Sequence, residues 1–373
     1  MSEPLRNLYL VVAQDCNLAC RYCYAGGGDF GQATRLMDEA TLRRGLERLL
    51  PLAGERLTIS FFGGEPLLNF PLIETAIARA NELAAASGRG LSFALTSNGT
   101  LLDDAMLATI KQHISYLAIS LDGSPDANAG RPFRDGRPSF ASVAANLERL
   151  RAAGVAYALR ATVTPDNLEH LAQTVDFLAG LGAASVRLLP AQGLAWSPAD
   201  RQRLRVGLAE INRRGLRAML DGAPPLACDH ACRLLAERVG GYAATRPCLA
   251  GGGIVALAAD GRLYPCEHFT GVGELAMGHI ADAELPGPAW RAVAARFAAA
   301  STAGRPRCAS CGVREACGGQ CYAEAFSLWG DIETPDPGYC ALVRTTYRAL
   351  EPELAAALAD PAQAARLRAA IGA

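Results

Sequence analysis

The chain has 373 residues, half of them hydrophobic and a fifth charged, with a net charge of -1. That suffices for one large or two medium domains with real cores, and it excludes a predominantly disordered chain. The charge balance gives no sign of a nucleic-acid partner, and Lys111, the single lysine, leaves one residue at most for Schiff-base chemistry.

The first apolar run, Leu8–Ala13, is far too short for a signal sequence or a membrane span, and no later run approaches that length. A cytoplasmic chain without a membrane partner is the expectation. Thiols stay reduced there, so the twelve cysteines point to metal rather than disulfides.

In chain order, Leu8–Gln14 reads as a strand and Asp38–Leu50 as a helix with Leu42, Leu46, Leu49 and Leu50 on one face. Strands follow at Leu57–Phe62, Leu91–Thr96, Ser115–Leu121, Ala156–Val163 and Ser185–Leu189. Helices alternate with them at Phe70–Ala86, Asp103–Lys111, Phe140–Ala153, Asn167–Leu181 and Pro198–Leu220. Six β/α units imply an α/β fold with a parallel sheet, either doubly wound or a partial (β/α)6 TIM-like barrel. Both put chemistry at the carboxyl ends of the strands. The segments expected there are Cys16–Cys23, Gly63-Gly64-Glu65-Pro66, Ser97-Asn98-Gly99-Thr100, and Asp122-Gly123 with the Gly/Pro/Asp/Arg-rich loop after it.

From Leu226 the pattern changes. Nine of the twelve cysteines fall between Cys228 and Cys340, and Gly and Pro rise. This predicts a loop-rich second domain held by metal. The expected division is 1–225, 226–345 and a helical tail at 346–373.

Cys16-x3-Cys20-x2-Cys23 puts three thiols in eight residues directly after a strand. Soft thiolates suit zinc or iron–sulfur, and a structural zinc would want a fourth ligand that the segment lacks. A cubane on three cysteines keeps one open iron, able to bind a chelating ligand. The run Cys16-Asn17-Leu18-Ala19-Cys20-Arg21-Tyr22-Cys23 resembles the signature of the radical SAM superfamily. The resemblance implies a 4Fe–4S cluster whose open iron binds S-adenosylmethionine and cleaves it to a 5′-deoxyadenosyl radical. Gly63-Gly64-Glu65-Pro66 is similar to the family's GGE motif, which meets the methionine ammonium. Ser97-Asn98 and Ser120-Leu121-Asp122-Gly123 resemble its ribose- and carboxylate-contacting segments. Arg160 matches an arginine used for the carboxylate. Tyr22 would lie against the adenine, with Leu188 or Leu189 on its other side.

Cys308-x2-Cys311-x5-Cys317-x3-Cys321, with Cys340 downstream and Cys248-x12-Gly261-x4-Cys266 upstream, resembles the SPASM domain. That resemblance implies two more 4Fe–4S clusters, three in all. Cys308, Cys311, Cys317 and Cys340 would hold one, and Cys248, Cys266 and Cys321 three corners of the other. Cys228 and Cys232, four apart and so on one helical face, are the candidates to complete it. Alternatively that cluster keeps an open iron for a substrate thiolate.

The surroundings of Cys266 resemble peptide thioether maturases: Arg246-Pro247-Cys248-x-Ala250-Gly251, Gly261-x-Leu263-Tyr264-Pro265-Cys266-x-x-Phe269-x-Gly271 and Met277-Gly278. Anaerobic sulfatase-maturating enzymes, which make formylglycine, carry an aspartate base where Glu267 stands, so Glu267 is the candidate general base. The expected function is thioether crosslinking of a ribosomal peptide. The alternatives are formylglycine formation and carbon–carbon crosslinking, and, in a different class, a non-catalytic iron–sulfur electron carrier or sensor. The reading implies a peptide or protein substrate and an external electron donor such as flavodoxin or ferredoxin. Only 15 residues precede Cys16, so leader recognition is expected from the rim loops, the second domain or a separate leader-binding protein.

Overall fold

The structure is a computed structural model that describes residues 3–223 and 226–371. Residues 1, 2, 224, 225, 372 and 373, which include both ends of the expected 1–225 domain and the end of the expected tail, lie outside the described residues.

Strand β1 (Leu5–Gln14) is followed by the two-residue β2 (Arg35–Leu36) and helix α1 (Glu39–Leu49). Next come β3 (Ala53–Gly63), α2 (Phe70–Ser87), β4 (Gly90–Ser97), α3 (Asp104–His113), β5 (Ile114–Ser120) and α4 (Phe140–Ala152). Then follow β6 (Ala158–Val163), α5 (Leu171–Gly180), β7 (Ser185–Pro190) and α6 (Pro198–Leu220). Beyond lie α7 (Asp229–Gly240), β8 (Ile254–Leu257), β9 (Arg262–Tyr264), β10 (Gly278–His279) and α8 (Pro288–Ala299). The short helices α9 (Pro306–Ala309) and α10 (Arg314–Cys317) precede α11 (Tyr322–Trp329), α12 (Pro337–Ala359) and α13 (Pro361–Ile371). All six expected β/α units are present, as the partial barrel requires.

By packing, the chain forms two compact units. The first holds Met1–Leu121, Asn128–Ala158 and Leu249–Ala299; the second holds Asp122–Ala127, Leu159–Cys248 and Ala300–Ala373. This division does not follow the compositional one at residue 226.

In the first unit the strand order is β10-β9-β8-β1-β3-β4-β5, and β2 pairs with β1. β1 runs parallel to both β3 and β8. Its Leu10, Val11, Val12 and Ala13 are all fully buried, as in a parallel strand covered on both faces. The α1 helix starts where Asp38 accepts the Thr41 amide at 2.7 Å, and it buries Leu42, Leu46 and Leu49.

In the second unit β6 and β7 are neighbours. The expected helix from Asn167 starts late: the Asn167 side chain is engaged with Thr162 O and Thr164 N, so a short 3₁₀ turn precedes α5. The C-terminal helical stretch is two helices, because Asp360 and Pro361 end α12 and begin α13. Arg213 and Arg217 of α6 both donate to Glu353 Oε1 of α12 at 2.6 Å. Among the described residues no helix is long and apolar enough to cross a membrane.

Candidate active site

The end of β1 and the end of β3 meet at main-chain distance. Gly64 N donates to Ala13 O (2.9 Å) and Glu65 N to Asp15 O (2.8 Å). A Cβ on Gly63, whose φ is +148°, would lie 2.2 Å from Ala13 O, and one on Gly64 2.3 Å from Asp15 O. Only glycine permits this approach.

Glu65 is fully buried and faces inward. Its Oε1 accepts from Leu67 N (3.0 Å) and Ser97 Oγ (2.9 Å), and its Oε2 from Asn98 N (2.7 Å). Burial raises its pKa to about 7 against the pull of these donors. The resemblance aims this carboxylate at a ligand ammonium; in the fold three of its acceptor sites are taken by Leu67, Ser97 and Asn98.

Asn98 passes the order on. Its Nδ2 donates to Asn17 Oδ1 (2.7 Å) and Cys16 Sγ (3.7 Å), and its Oδ1 accepts from Thr100 Oγ1 (2.7 Å). Thr100 Oγ1 in turn accepts from Asn17 Nδ2 (2.8 Å). Cys16 Sγ also faces Leu18 N (3.4 Å), and Cys23 Sγ faces Gly27 N (3.4 Å).

The loop before α4 closes on the cysteine loop. Ala19 N donates to Pro132 O (2.8 Å) and Arg21 N to Gly130 O (3.0 Å). Arg131 Nη1 donates to the Tyr22 hydroxyl at 2.8 Å, and Arg134 pairs with Asp15. Arg131 and Arg134 escaped the sequence reading, although their Arg-rich loop was placed on this rim.

Glu267 lies beside this loop, within the first unit. It is buried, directly follows Cys266, and its Oε1 is 3.1 Å from His268 Nδ1. Ligand atoms of Cys266, Glu267 and His268 all lie within 4.8 Å of one another. The His268 ring stacks on Tyr24, one residue past Cys23, with centroids 4.3 Å apart and planes 10° from parallel. Ser120 ends β5 in the same unit.

In the second unit Asp122 accepts from Thr162 N at 2.9 Å, Arg160 lies on β6, and Leu188 is buried on β7. Cys308, Cys311, Cys317 and Cys340 line one hollow of about 360 Å³, part of it open to solvent, together with Tyr339. The Tyr339 hydroxyl donates to the Cys317 thiol. Arg305, fully buried, donates to Gln320 O (3.0 Å) and to Ile332 O, and lies 4.7 Å over the Tyr322 ring. Its Nε has no partner, and among the described residues no carboxylate pairs with it. Cys248 and Cys321 belong to this unit and Cys266 to the first. The Cys228 and Cys232 sulfurs lie 3.6 Å apart.

The donor sets fit iron–sulfur groups. Cys16, Cys20 and Cys23 offer three soft thiols on one short segment, Cys308, Cys311, Cys317 and Cys340 offer four around one hollow, and N–H groups face the sulfurs of Cys16 and Cys23. Burial pushes the Cys16 and Cys321 thiols up to about 12 and Cys340 up to about 11. A bound cation reverses that preference. The lone buried guanidinium of Arg305 is a charge that an anionic thiolate cluster would balance.

A family model described as the Radical SAM superfamily matches residues 10–178. The uncharacterized protein MJ0907 of Methanocaldococcus jannaschii is 31% identical over 186 residues, which span 50% of this chain and 63% of that protein. The AdoMet-dependent heme synthase of Oleidesulfovibrio alaskensis is 27% identical, over 90% of this chain and 87% of its own. The serine-type anaerobic sulfatase-maturating enzyme of Klebsiella aerogenes is 26% identical, over 86% of this chain and 80% of its own. Among solved structures, native anSMEcpe with bound AdoMet matches at TM-score 0.80 and 19% identity, covering 95% of this chain and 98% of that one. Streptococcus suis SuiB bound to precursor peptide SuiA matches at TM-score 0.61 and 17% identity, covering 91% and 76%. At those identities the likeness is one of fold.

Proposed function

We propose that this radical SAM enzyme, a member of that superfamily through residues 10–178, is a peptide- or protein-modifying maturase that joins a substrate cysteine sulfur to a carbon. The observation that carries the reading is the Tyr24–His268 stack, which seats Glu267 and Cys266 beside the first cysteine loop. Relatives and structures whose names give sulfatase maturation and a precursor peptide support a peptide or protein substrate.

Held by Cys16, Cys20 and Cys23, a 4Fe–4S cluster with S-adenosylmethionine would supply one-electron chemistry that takes a hydrogen atom from the substrate. Glu65 and Asn98 keep the Cys16 loop in place, and Tyr22, anchored by Arg131, is the aromatic face proposed for the adenine.

Joining sulfur to carbon removes two hydrogens. One leaves as an atom; the other leaves the thiol as a proton and an electron. Glu267, held by His268, is the proposed proton acceptor. The electron needs an acceptor, and Cys308, Cys311, Cys317 and Cys340 have the donor set of one. A flavodoxin- or ferredoxin-type protein is the proposed donor of the first electron.

A second reading has one observation in its favour: a relative named AdoMet-dependent heme synthase spans 90% of this chain. In that reading a tetrapyrrole replaces the peptide. The test incubates the anaerobic, iron-loaded protein with S-adenosylmethionine, a reductant and cysteine-containing peptides. The expected products are 5′-deoxyadenosine and a peptide that has lost two hydrogens and a free thiol. Oxidation of a peptide without cysteine would reject the thioether, turnover of a tetrapyrrole alone would establish the second reading, and no 5′-deoxyadenosine would reject both.

A further inference from the structure

Cys228 and Cys232 stand at the start of α7, in the second unit. Cys228 precedes the first turn and Cys232 closes it, with Cys232 N donating to Cys228 O at 2.9 Å. Their sulfurs are 3.6 Å apart. Neither lines the hollow of Cys308, Cys311, Cys317 and Cys340.

The surroundings are rigid. Asn212 of α6 accepts the amides of His230 and Ala231, both at 3.1 Å, and so pins the first turn of α7. Gly215 of α6 lies against Cys228: a Cβ there would be 2.3 Å from the cysteine's own Cβ. Cys228 is buried, whereas Cys232 is half-buried and reachable.

Two chemistries suit paired thiols. A tetrahedral soft metal would accept this spacing but needs further ligands. Among the described residues no third His, Cys, Asp or Glu ligand atom joins both sulfurs within 4.8 Å. A disulfide needs only the pair. Cys228 is the N-cap of α7, with non-helical backbone (φ -116°, ψ 35°), and its sulfur already lies 3.6 Å from that of Cys232. Bond formation asks the sulfurs to close by about 1.5 Å, within reach of side-chain rotation.

We propose that Cys228 and Cys232 form a reversible dithiol–disulfide site, separate from the cluster cysteines, that exchanges with small disulfides and thiols. The Cys232 sulfur attacks one sulfur of an external disulfide and expels one thiolate, giving a mixed disulfide. The Cys228 sulfur then attacks Cys232, expels the second thiolate and closes the ring. The protein loses two electrons and two protons, and the external disulfide becomes two thiols. Arg233, the next residue, donates to Cys317 O at 2.9 Å, so the pair is mechanically tied to the hollow.

The test uses the anaerobic, iron-loaded protein treated with oxidised glutathione, then an alkylating reagent, then trypsin. Residues 218–233 leave as one fragment holding both cysteines and no other. The expected fragment escapes alkylation and is lighter by two hydrogens, and a thiol reductant restores two alkylation sites. In Cys228→Ser the exchange should stop at a glutathione adduct on Cys232. Full alkylation of the fragment after oxidation would overturn the proposal. So would a loss of iron and sulfide in Cys228→Ser or Cys232→Ser, which would assign the pair to a cluster.

Discussion

Glu65 Oε2 accepts the main-chain amide of Asn98 at 2.7 Å, and the Asn98 side chain in turn reaches Cys16 Sγ. A carboxylate from the loop after β3 thus fixes the loop after β4, and through it Cys16, the first cysteine of the Cys16–Cys20–Cys23 run. Removing that carboxylate strands Ser97 Oγ and the amides of Leu67 and Asn98 in a buried place. Glu65→Ala should therefore cost about 3–9 kcal/mol, given about 1–3 kcal/mol for each stranded group. Thermal unfolding of the iron-loaded protein measures it, and an unchanged midpoint would refute the positioning role.

The same residue sets a pH dependence. Burial raises Glu65 to about 7 from 4.5, so between those values the folded chain binds the extra proton. Its contribution to stability is complete below the lower value and is lost as pH rises through the upper one. A span of that size is worth about 3 kcal/mol at most. Between about pH 5 and about pH 8 the midpoint of Glu65→Gln should fall less than that of the parent; parallel curves would show that Glu65 does not titrate there.

Cys20 belongs to the triad and to neither later array. Cys20→Ala should lower iron by about four atoms per chain, abolish cleavage of S-adenosylmethionine and leave the spectra of the other groups intact. Retained cleavage would remove the triad from the chemistry.

Glu267→Gln keeps the shape beside Cys266 and loses the proposed base. Formation of 5′-deoxyadenosine should persist while peptide modification falls by about 10²–10⁴-fold. A parallel loss of both would make Glu267 structural.

Arg305 holds two main-chain carbonyls and, among the described residues, carries its charge without a carboxylate. Arg305→Met should cost about 2–6 kcal/mol in the two stranded acceptors and reduce the iron retained by the C-terminal cysteines. Iron retention equal to the parent's would show that its charge is balanced by something other than a cluster.

The alternating units were legible because each repeats a strand-length apolar run and a helical stripe, as Leu10–Ala13 and Leu42–Leu49 show. The cysteine arrays were legible because ligand spacing is local. Three features were not. β8 is four residues long, too short for any period, so its pairing with β1 could not be read. The inward turn of Glu65 depends on donors over thirty residues away, at Ser97 and Asn98. Arg131 reaches Tyr22 across 109 positions, a contact that only the closed loop creates.

The pairing of β8 with β1 also governs the order of assembly. Asn7 to Leu10 lie opposite Ile254 to Leu257, so one edge of the first strand waits for a partner made more than two hundred residues later. A nascent chain that has released every β/α unit still presents an open, apolar edge to the solvent. Residues 1–225 expressed alone would keep that edge for good and should aggregate where the full chain does not. The cysteine-rich segment is thus also the piece that covers the open edge of β1.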